Sequence, residues 1–217
     1  MIKNELIKRI ISSLILITLL SYFVYEGAFF FNIFLIICFF ISIKEWFGLT
    51  KKKLFRLLGV IFLFLSFYCV FLLRNEFQNF SILLFVLLIC IGTDIGGYIF
   101  GKIFRGPKLT QISPNKTYSG VLGGYVFSIL IIYLYLNSDL SSNLFLFSIE
   151  ILIFVFFVST ISQLGDLFIS YFKRISKIKD TGNLIPGHGG LLDRIDGMIF
   201  AFPFSYYLIS LNILNIN

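Results

Sequence analysis

Long apolar runs separated by short polar stretches account for most of the chain. They fall at 10–25, 27–43, 56–73, 80–101, 120–136, 146–164 and 197–214. A helix that crosses the hydrocarbon core of a bilayer needs ~17–25 residues, so the first two runs are short, and Glu26-Gly27 provides a turn between them. In lipid each backbone N–H and C=O must be satisfied within its own segment, so every run is expected to be helical. The pattern therefore predicts an all-α, polytopic integral membrane protein with about seven transmembrane helices. Residues 1–79 would form an N-terminal membrane region. Residues 80–217 would hold the chemistry, because the two long polar segments, 102–119 and 165–196, lie there.

Composition agrees. Of 217 residues, 58% are hydrophobic and 13% charged, against about 45–50% and about 25% in a soluble domain. So few charges cannot cover a soluble core, and the surplus apolar surface must face lipid. The first run follows Lys8-Arg9 as a signal peptide would, but "SYFVYEG" is too bulky for a cleavage site, so a retained span is expected. Cys38, Cys69 and Cys90 sit inside apolar runs and read as small buried hydrophobes rather than disulfide partners.

The net charge of +7 changes the picture only through its distribution. With the N-terminus in the cytoplasm, every Lys and Arg except Arg74 falls on an inner segment. Such a positive-inside bias supports seven spans, N-terminus in and C-terminus out. The basic surplus is then topological, and nucleic acid is not needed as a partner. Both long polar segments fall on the cytoplasmic side of the membrane.

In "GTDIGGYIFGKIFRGPKLTQISPNKTYSG", residues 92–120, Gly92/Gly96 and Gly97/Gly101 have the small-xxx-small spacing that lets membrane helices pack closely. Helix packing is enough to explain these glycines, but it does not explain Asp94. A carboxylate within a span is costly unless paired or wet, which makes Asp94 a functional candidate. The Lys116 ammonium and the hydroxyls of Ser113 and Thr117 suit phosphate oxygens, although a basic loop here also follows from topology alone.

In "QLGDLFISYFKR", residues 163–174, helical spacing puts Asp166, Ser170 and Lys173 on one face and Leu167, Phe168 and Phe172 on the other. An acid, a hydroxyl and a base pointing together at a membrane edge suggest part of a polar cavity. "PGHGGLLDRIDG" follows, with four glycines or prolines around His188, the chain's one histidine. No Cys or second His accompanies it, so a zinc site is not indicated. Asp193 and Asp196 share a helical face, and Arg194 neutralises one of them. One acid would suffice as a helix cap; two, with Asp166 earlier, point to a hard cation. Oxygen ligands favour Mg²⁺, which is commonly held by one or two carboxylates plus substrate phosphates. The chemistry suggested is phosphoryl or nucleotidyl transfer to a lipid, without a Walker A loop.

These residues resemble a known family. "GDLFISYFKRISKIKDTGNLIPGHGGLLDRIDG", 165–197, is similar to the signature of phosphatidate cytidylyltransferases (CDP-diacylglycerol synthases), and "DIGGYIFGKIFRGPKLTQISPNKTYSG" to that family's second block. The resemblance implies Mg²⁺-dependent condensation of CTP with phosphatidic acid to CDP-diacylglycerol and pyrophosphate. It implies Asp166, Asp193 and Asp196 as the metal-site carboxylates, with Lys173 beside them as a catalytic group. Lys173, Arg174 and Lys179 would face phosphates. Asp94, Ser113, Lys116, Thr117, Ser170, Arg194 and His188 complete the expected substrate contacts, with His188 holding a phosphate or the loop rather than carrying a proton. The expected partners are CTP, phosphatidic acid and the bilayer of the cytoplasmic (inner) membrane, and a homodimer is the oligomer to test for. Two departures stand out. Ser119 in "KTYSG" replaces a family Glu, whose role does not carry over, and the chain is shorter than typical members on the N-terminal side.

Two rivals are weaker. "DRIDG" matches the start of a CDP-alcohol phosphotransferase motif, but the acids that should follow are missing from "MIFAFPFSYYLISLNILNIN". A transporter or channel with Asp94 and Asp166 as coupling charges would spread polar residues over several spans and show repeats. Here the polar residues cluster and no repeat is found.

Overall fold

The computed structural model describes residues 18, 22, 28–76, 80–111, 113, 115–141, 147–187 and 189–211. Among them the secondary structure is helical, with two isolated β-bridges and no strand. The helices are α1 (Ala28–Leu49), α2 (Lys53–Asn75), α3 (Phe80–Phe104), α4 (Tyr118–Leu136), α5 (Ile149–Ile175), α6 (Leu192–Ile195) and α7 (Met198–Ser210). Five of these, α1 to α5, are long and apolar enough to cross a membrane. They correspond to the second through sixth predicted runs. The first predicted run, 10–25, lies outside the described residues apart from Thr18 and Tyr22.

The predicted ends move where polar residues continue a helix. α1 extends through Lys44 and Glu45 to Leu49 rather than stopping at 43, and α5 extends through Asp166 and Lys173 to Ile175. At 1.5 Å per residue, the 27 residues of α5 span about 40 Å, so its last turns project beyond the apolar core. The last predicted run, 197–214, is described only as far as residue 211, and residues 212–214 lie outside the described residues. Within it α7 has 13 residues, with Pro203 inside it, about 20 Å at 1.5 Å per residue.

Large apolar side chains on the long helices, such as Phe40, Phe64 and Leu122, keep more than 60% of their surface exposed. This is the surface of a helix bundle solvated by lipid. The interior is built around α3. Phe85, Val86, Ile89 and Cys90 on α3 pack with Ile132 of α4, Phe154 and Val158 of α5, and Ala201 of α7. A second cluster at the opposite end unites Trp46 and Leu49 of α1, Leu63 of α2, Ile169 of α5, Leu192 of α6 and Ile199 of α7.

α3 and α4 meet along their glycines, as the small-xxx-small spacing predicts. A Cβ at Gly120 would lie 2.8 Å from the Gly97 carbonyl oxygen, and one at Gly123 would lie 2.6 Å from that of Gly96 and overlap the Phe100 side chain. Only hydrogen at these positions permits the approach. The contact fixes the start of α4, with Thr117 at its cap and Lys116 just before it, beside Asp94 of α3.

One end of the bundle collects the loops that matter. The end of α1 meets the end of α5, where the Ser176 hydroxyl donates to the Leu49 carbonyl. The α3–α4 connection folds back on itself, with Leu109 N–H donating to the Lys116 carbonyl at 2.8 Å and Tyr118 N–H to that of Pro107 at 3.2 Å. The turn at 185–189 closes through paired backbone bonds between Ile185 and Gly189, 2.8 and 3.1 Å.

Candidate active site

A cavity of about 510 Å³ opens at this end, among α3, α4, α5 and the segment around α6. Nine of the residues singled out in the sequence line it: Asp94, Ser113, Lys116, Thr117, Asp166, Lys173, Asp193, Arg194 and Asp196. Four separate chain segments supply them. Ser170 lies just behind and donates to Asp166 Oδ1 at 3.3 Å. Arg174 and Lys179 are exposed and outside the lining. His188 lies outside the described residues.

Two ion pairs organise the floor. Lys116 Nζ is 2.5 Å from Asp166 Oδ2 and also donates to the Gln163 carbonyl at 3.4 Å. Lys173 Nζ is 3.0 Å from Asp193 Oδ1 and 3.9 Å from Asp196 Oδ2. Asp193 and Asp196, three residues apart, have different environments. Asp193 Oδ2 accepts from Thr181 N–H at 2.7 Å and Gly190 N–H at 2.9 Å. Burial pushes this carboxyl up, but the bonds from Gly190, Lys173 and Thr181 outweigh burial and bring it below its ordinary value. Asp196 is held well above the carboxylate range, first by burial and then by the negative charge of Asp166, which also bonds to it; Lys173 offsets only part. Asp193 is therefore a satisfied anion, whereas Asp166 and Asp196 are apposed carboxylates.

Gly189 explains why the turn takes its sequence. Its φ is +86°, and a Cβ there would lie 2.6 Å from Asp193 Oδ2. A side chain would be strained and would also displace the carboxylate that Gly190 and Thr181 bind.

The described lining carries five aspartates, Asp94, Asp166, Asp180, Asp193 and Asp196, against Lys116, Lys173 and Arg194. Fully ionised, that is an excess of two negative charges. A nucleotide or lipid phosphate entering such a cavity would be repelled unless a cation accompanied it. No three Asp, Glu, His or Cys side chains among the described residues are grouped to hold one ion. The fit is instead to two apposed carboxylates, Asp166 and Asp196, with the remaining oxygen ligands coming from elsewhere, the usual arrangement for Mg²⁺.

The comparisons with known proteins fall on this same region. The sequence model of the Cytidylyltransferase family matches residues 51–212. A phosphatidate cytidylyltransferase of Bacillus subtilis is 34% identical over 183 residues, covering 83% of this chain and 66% of that protein. One from Rickettsia typhi is 33% identical over 214 residues, 93% of this chain and 90% of the relative. One from Rickettsia bellii is 37% identical over 173 residues, 76% and 74%. The chain belongs to the cytidylyltransferase family.

The family match takes in every residue that lines the cavity. Thr117 has a structural duty as well: its hydroxyl accepts from Gly120 N–H at 3.1 Å and caps α4. Ser119 bonds to the Arg105 carbonyl and the Thr117 hydroxyl and does not line the cavity. Sequence reasoning left Tyr98, Asn115, Gln163 and Glu45 off the site. Tyr98, Asn115 and Gln163 line the cavity; Tyr98 lies one helical turn from Asp94, whereas nothing in the spacing of Asn115 and Gln163 sets them apart from ordinary loop and helix residues. Glu45 lies just past the predicted end of its run at 43, yet it is buried inside α1.

A second cavity of about 450 Å³ lies among α1, α2, α3 and α7 and is almost wholly apolar. Arg194 lines both cavities.

Proposed function

We propose that this chain condenses CTP with phosphatidic acid to give CDP-diacylglycerol and pyrophosphate. The observation that carries the reading is the polar cavity at the membrane edge, with Lys116, Lys173 and Arg194 set among aspartates inside the family match. A phosphate oxygen of phosphatidate forms a bond to the α-phosphorus of CTP, the bond to the β-phosphate bridge breaks, and pyrophosphate leaves. Phosphatidate is already anionic, so no strong base is needed.

Lys116 and Lys173 are the cations nearest the apposed carboxylates, and they would hold phosphate oxygens and offset charge as the leaving group departs. Asp193 keeps Lys173 aimed at Asp196. Asp166 and Asp196 would hold Mg²⁺, which supplies charge neutralisation and a template for aligned phosphates. Asp193 would join them as a third ligand only by exchanging its Lys173 contact. Arg194, at the wall between the two cavities, suits the lipid phosphate, with an acyl chain in the apolar cavity. His188, Arg174, Lys179, Ser113 and Thr117 are proposed phosphate or loop contacts.

The reading sets the site on the cytoplasmic side of the inner membrane, with the N-terminus inside and seven spans in all. Its support is that Lys51–Lys53, Lys102, Arg105, Lys173 and Arg174 sit at the same end as the cavity. A homodimer is the oligomeric expectation, checked by the mass of the detergent-solubilised protein.

The test is direct. Purified protein with phosphatidic acid, radiolabelled CTP and Mg²⁺ should yield labelled CDP-diacylglycerol and one pyrophosphate per turnover. No product above a protein-free control would end the proposal.

A further inference from the structure

Glu45 is a buried carboxylate on a membrane helix, 7% exposed, and the hydrogen bonds it accepts come from the far end of the chain. Its Oε2 accepts from the Thr181 hydroxyl at 2.8 Å and from Leu192 N–H at 2.8 Å, and its Oε1 accepts from Leu191 N–H at 2.9 Å. The donors lie more than 130 residues away in sequence. Space has been made for this carboxylate. A Cβ at Gly182 would lie 2.8 Å from Oε1, and one at Gly190 would overlap the same carboxylate.

The partners of Glu45 are the residues that hold the site's own acid. Thr181 gives its hydroxyl to Glu45 and its backbone N–H to Asp193 Oδ2; Gly190 N–H, next to Leu191, goes to that same oxygen. The other oxygen of Asp193 holds Lys173, which reaches on to Asp196. A continuous chain of bonds thus runs from Glu45 through the 181–192 loop to Asp193, Lys173 and Asp196. A buried charge in a span is costly and tends to mark function. Here three donors converge on the two side-chain oxygens. The amide of glutamine would set an NH₂ group against at least one donor. Glu45 precedes residue 51, where the family match begins, so the family pattern does not assign it.

We infer that Glu45 is a positioning residue for nucleotidyl transfer: a carboxylate from α1 that clamps the 181–192 loop and thereby sets Lys173 in the cavity. The inference rests on the functional reading above. It also means that α1 is part of the working site, although it contributes nothing to the lining of the polar cavity. Glu45 touches no reacting group, so its effect must pass through Asp193 and Lys173.

The experiment compares wild type, Glu45→Gln, Thr181→Val and the double variant in detergent-purified protein. It measures thermal unfolding, kcat, and KM for CTP and for phosphatidic acid. Glu45→Gln should raise KM for CTP by roughly 5-fold or more and lower kcat/KM for CTP by roughly 10-fold or more, with KM for phosphatidic acid within about 2-fold. Because both residues act through one loop, the double variant should cost little more than Glu45→Gln alone. A merely structural role would lower kcat with the active fraction and leave KM for CTP unchanged; that result overturns the inference. If Glu45→Gln does not fold, Thr181→Val, which removes one hydroxyl bond and keeps the N–H to Asp193, must still raise KM for CTP by about 2-fold or more, and a wild-type value overturns the inference. A wild type without cytidylyl transfer removes the functional reading, and this inference with it. An active wild type with indifferent variants removes this inference alone.

Discussion

Replacing Asp196 with asparagine should raise the stability of the metal-free protein while removing its activity. The substitution keeps the shape of the side chain and the Oδ1 acceptor for Gly197 N–H, 3.0 Å away, and deletes only a charge. Two unit charges ~4 Å apart at an effective dielectric of about 20 repel by about 4 kcal/mol. Asp196 faces Asp166 across the cavity floor, so it experiences this repulsion once both carboxyls are ionised. Lys173 at 3.9 Å from Asp196 and Lys116 at 2.5 Å from Asp166 cancel much of it, leaving a net strain of about 1–2 kcal/mol. For a chain of this size that is about 2–8 °C in melting temperature.

The pH dependence has a definite sign. The folded pKa of Asp196 is raised above 3.8, so the folded state binds the extra proton, and wild-type stability falls as pH rises from 3.8 through the folded value. Asparagine does not titrate, so the variant's advantage should be absent near pH 4 and complete above the folded pKa. Melting in EDTA between pH 4.5 and 8, followed by intrinsic fluorescence, measures the gap. Added Mg²⁺ should then stabilise wild type more than the variant, and cytidylyl transfer by the variant should fall by at least about 100-fold. A variant less stable than wild type across the whole EDTA series would refute the assignment of Asp166 and Asp196 as a strained carboxylate pair.

Other outcomes follow from single contacts. Thr117→Ala removes the cap on α4 and should cost about 1 kcal/mol in thermal unfolding, with Thr117→Ser restoring most of it. Gly123→Ala places a methyl group against the Gly96 carbonyl and the Phe100 ring; separating α3 from α4 should cost about 1–3 kcal/mol and reduce turnover, checked by melting and assay together. Val70→Phe narrows the apolar cavity, and turnover of 18-carbon phosphatidate should fall roughly 3- to 10-fold relative to 12-carbon phosphatidate. Equal losses for both lipids would remove the acyl-chain assignment.

Much of this protein was legible in one dimension. Hydrophobic runs as long as a bilayer is thick require helices, and five of those expected are present. The glycine spacing at 92–101 predicts helix packing, and the structure places Gly96 and Gly97 against Gly123 and Gly120. The clustering of Asp94, Lys116, Asp166, Lys173, Asp193 and Asp196 was also foreseeable. Carboxylates and cations kept within so apolar a chain must compensate one another, and they line one cavity.

What only the tertiary structure decided is how those charges pair. By spacing, Asp193 and Asp196 look equivalent, but backbone N–H groups from Thr181 and Gly190 satisfy Asp193, whereas Asp196 faces Asp166. Hydrogen-bond partners are set by chain segments folded together, and periodicity along one helix does not carry that information. Glu45 shows the same limit. Its burial marks it as costly, but its partners at 181 and 191–192 arrive from the other end of the chain, across the bundle. The sequence determined which residues a membrane protein of this composition has to hide together; packing determined which of them carry charge toward the cavity and which hold the loop that shapes it.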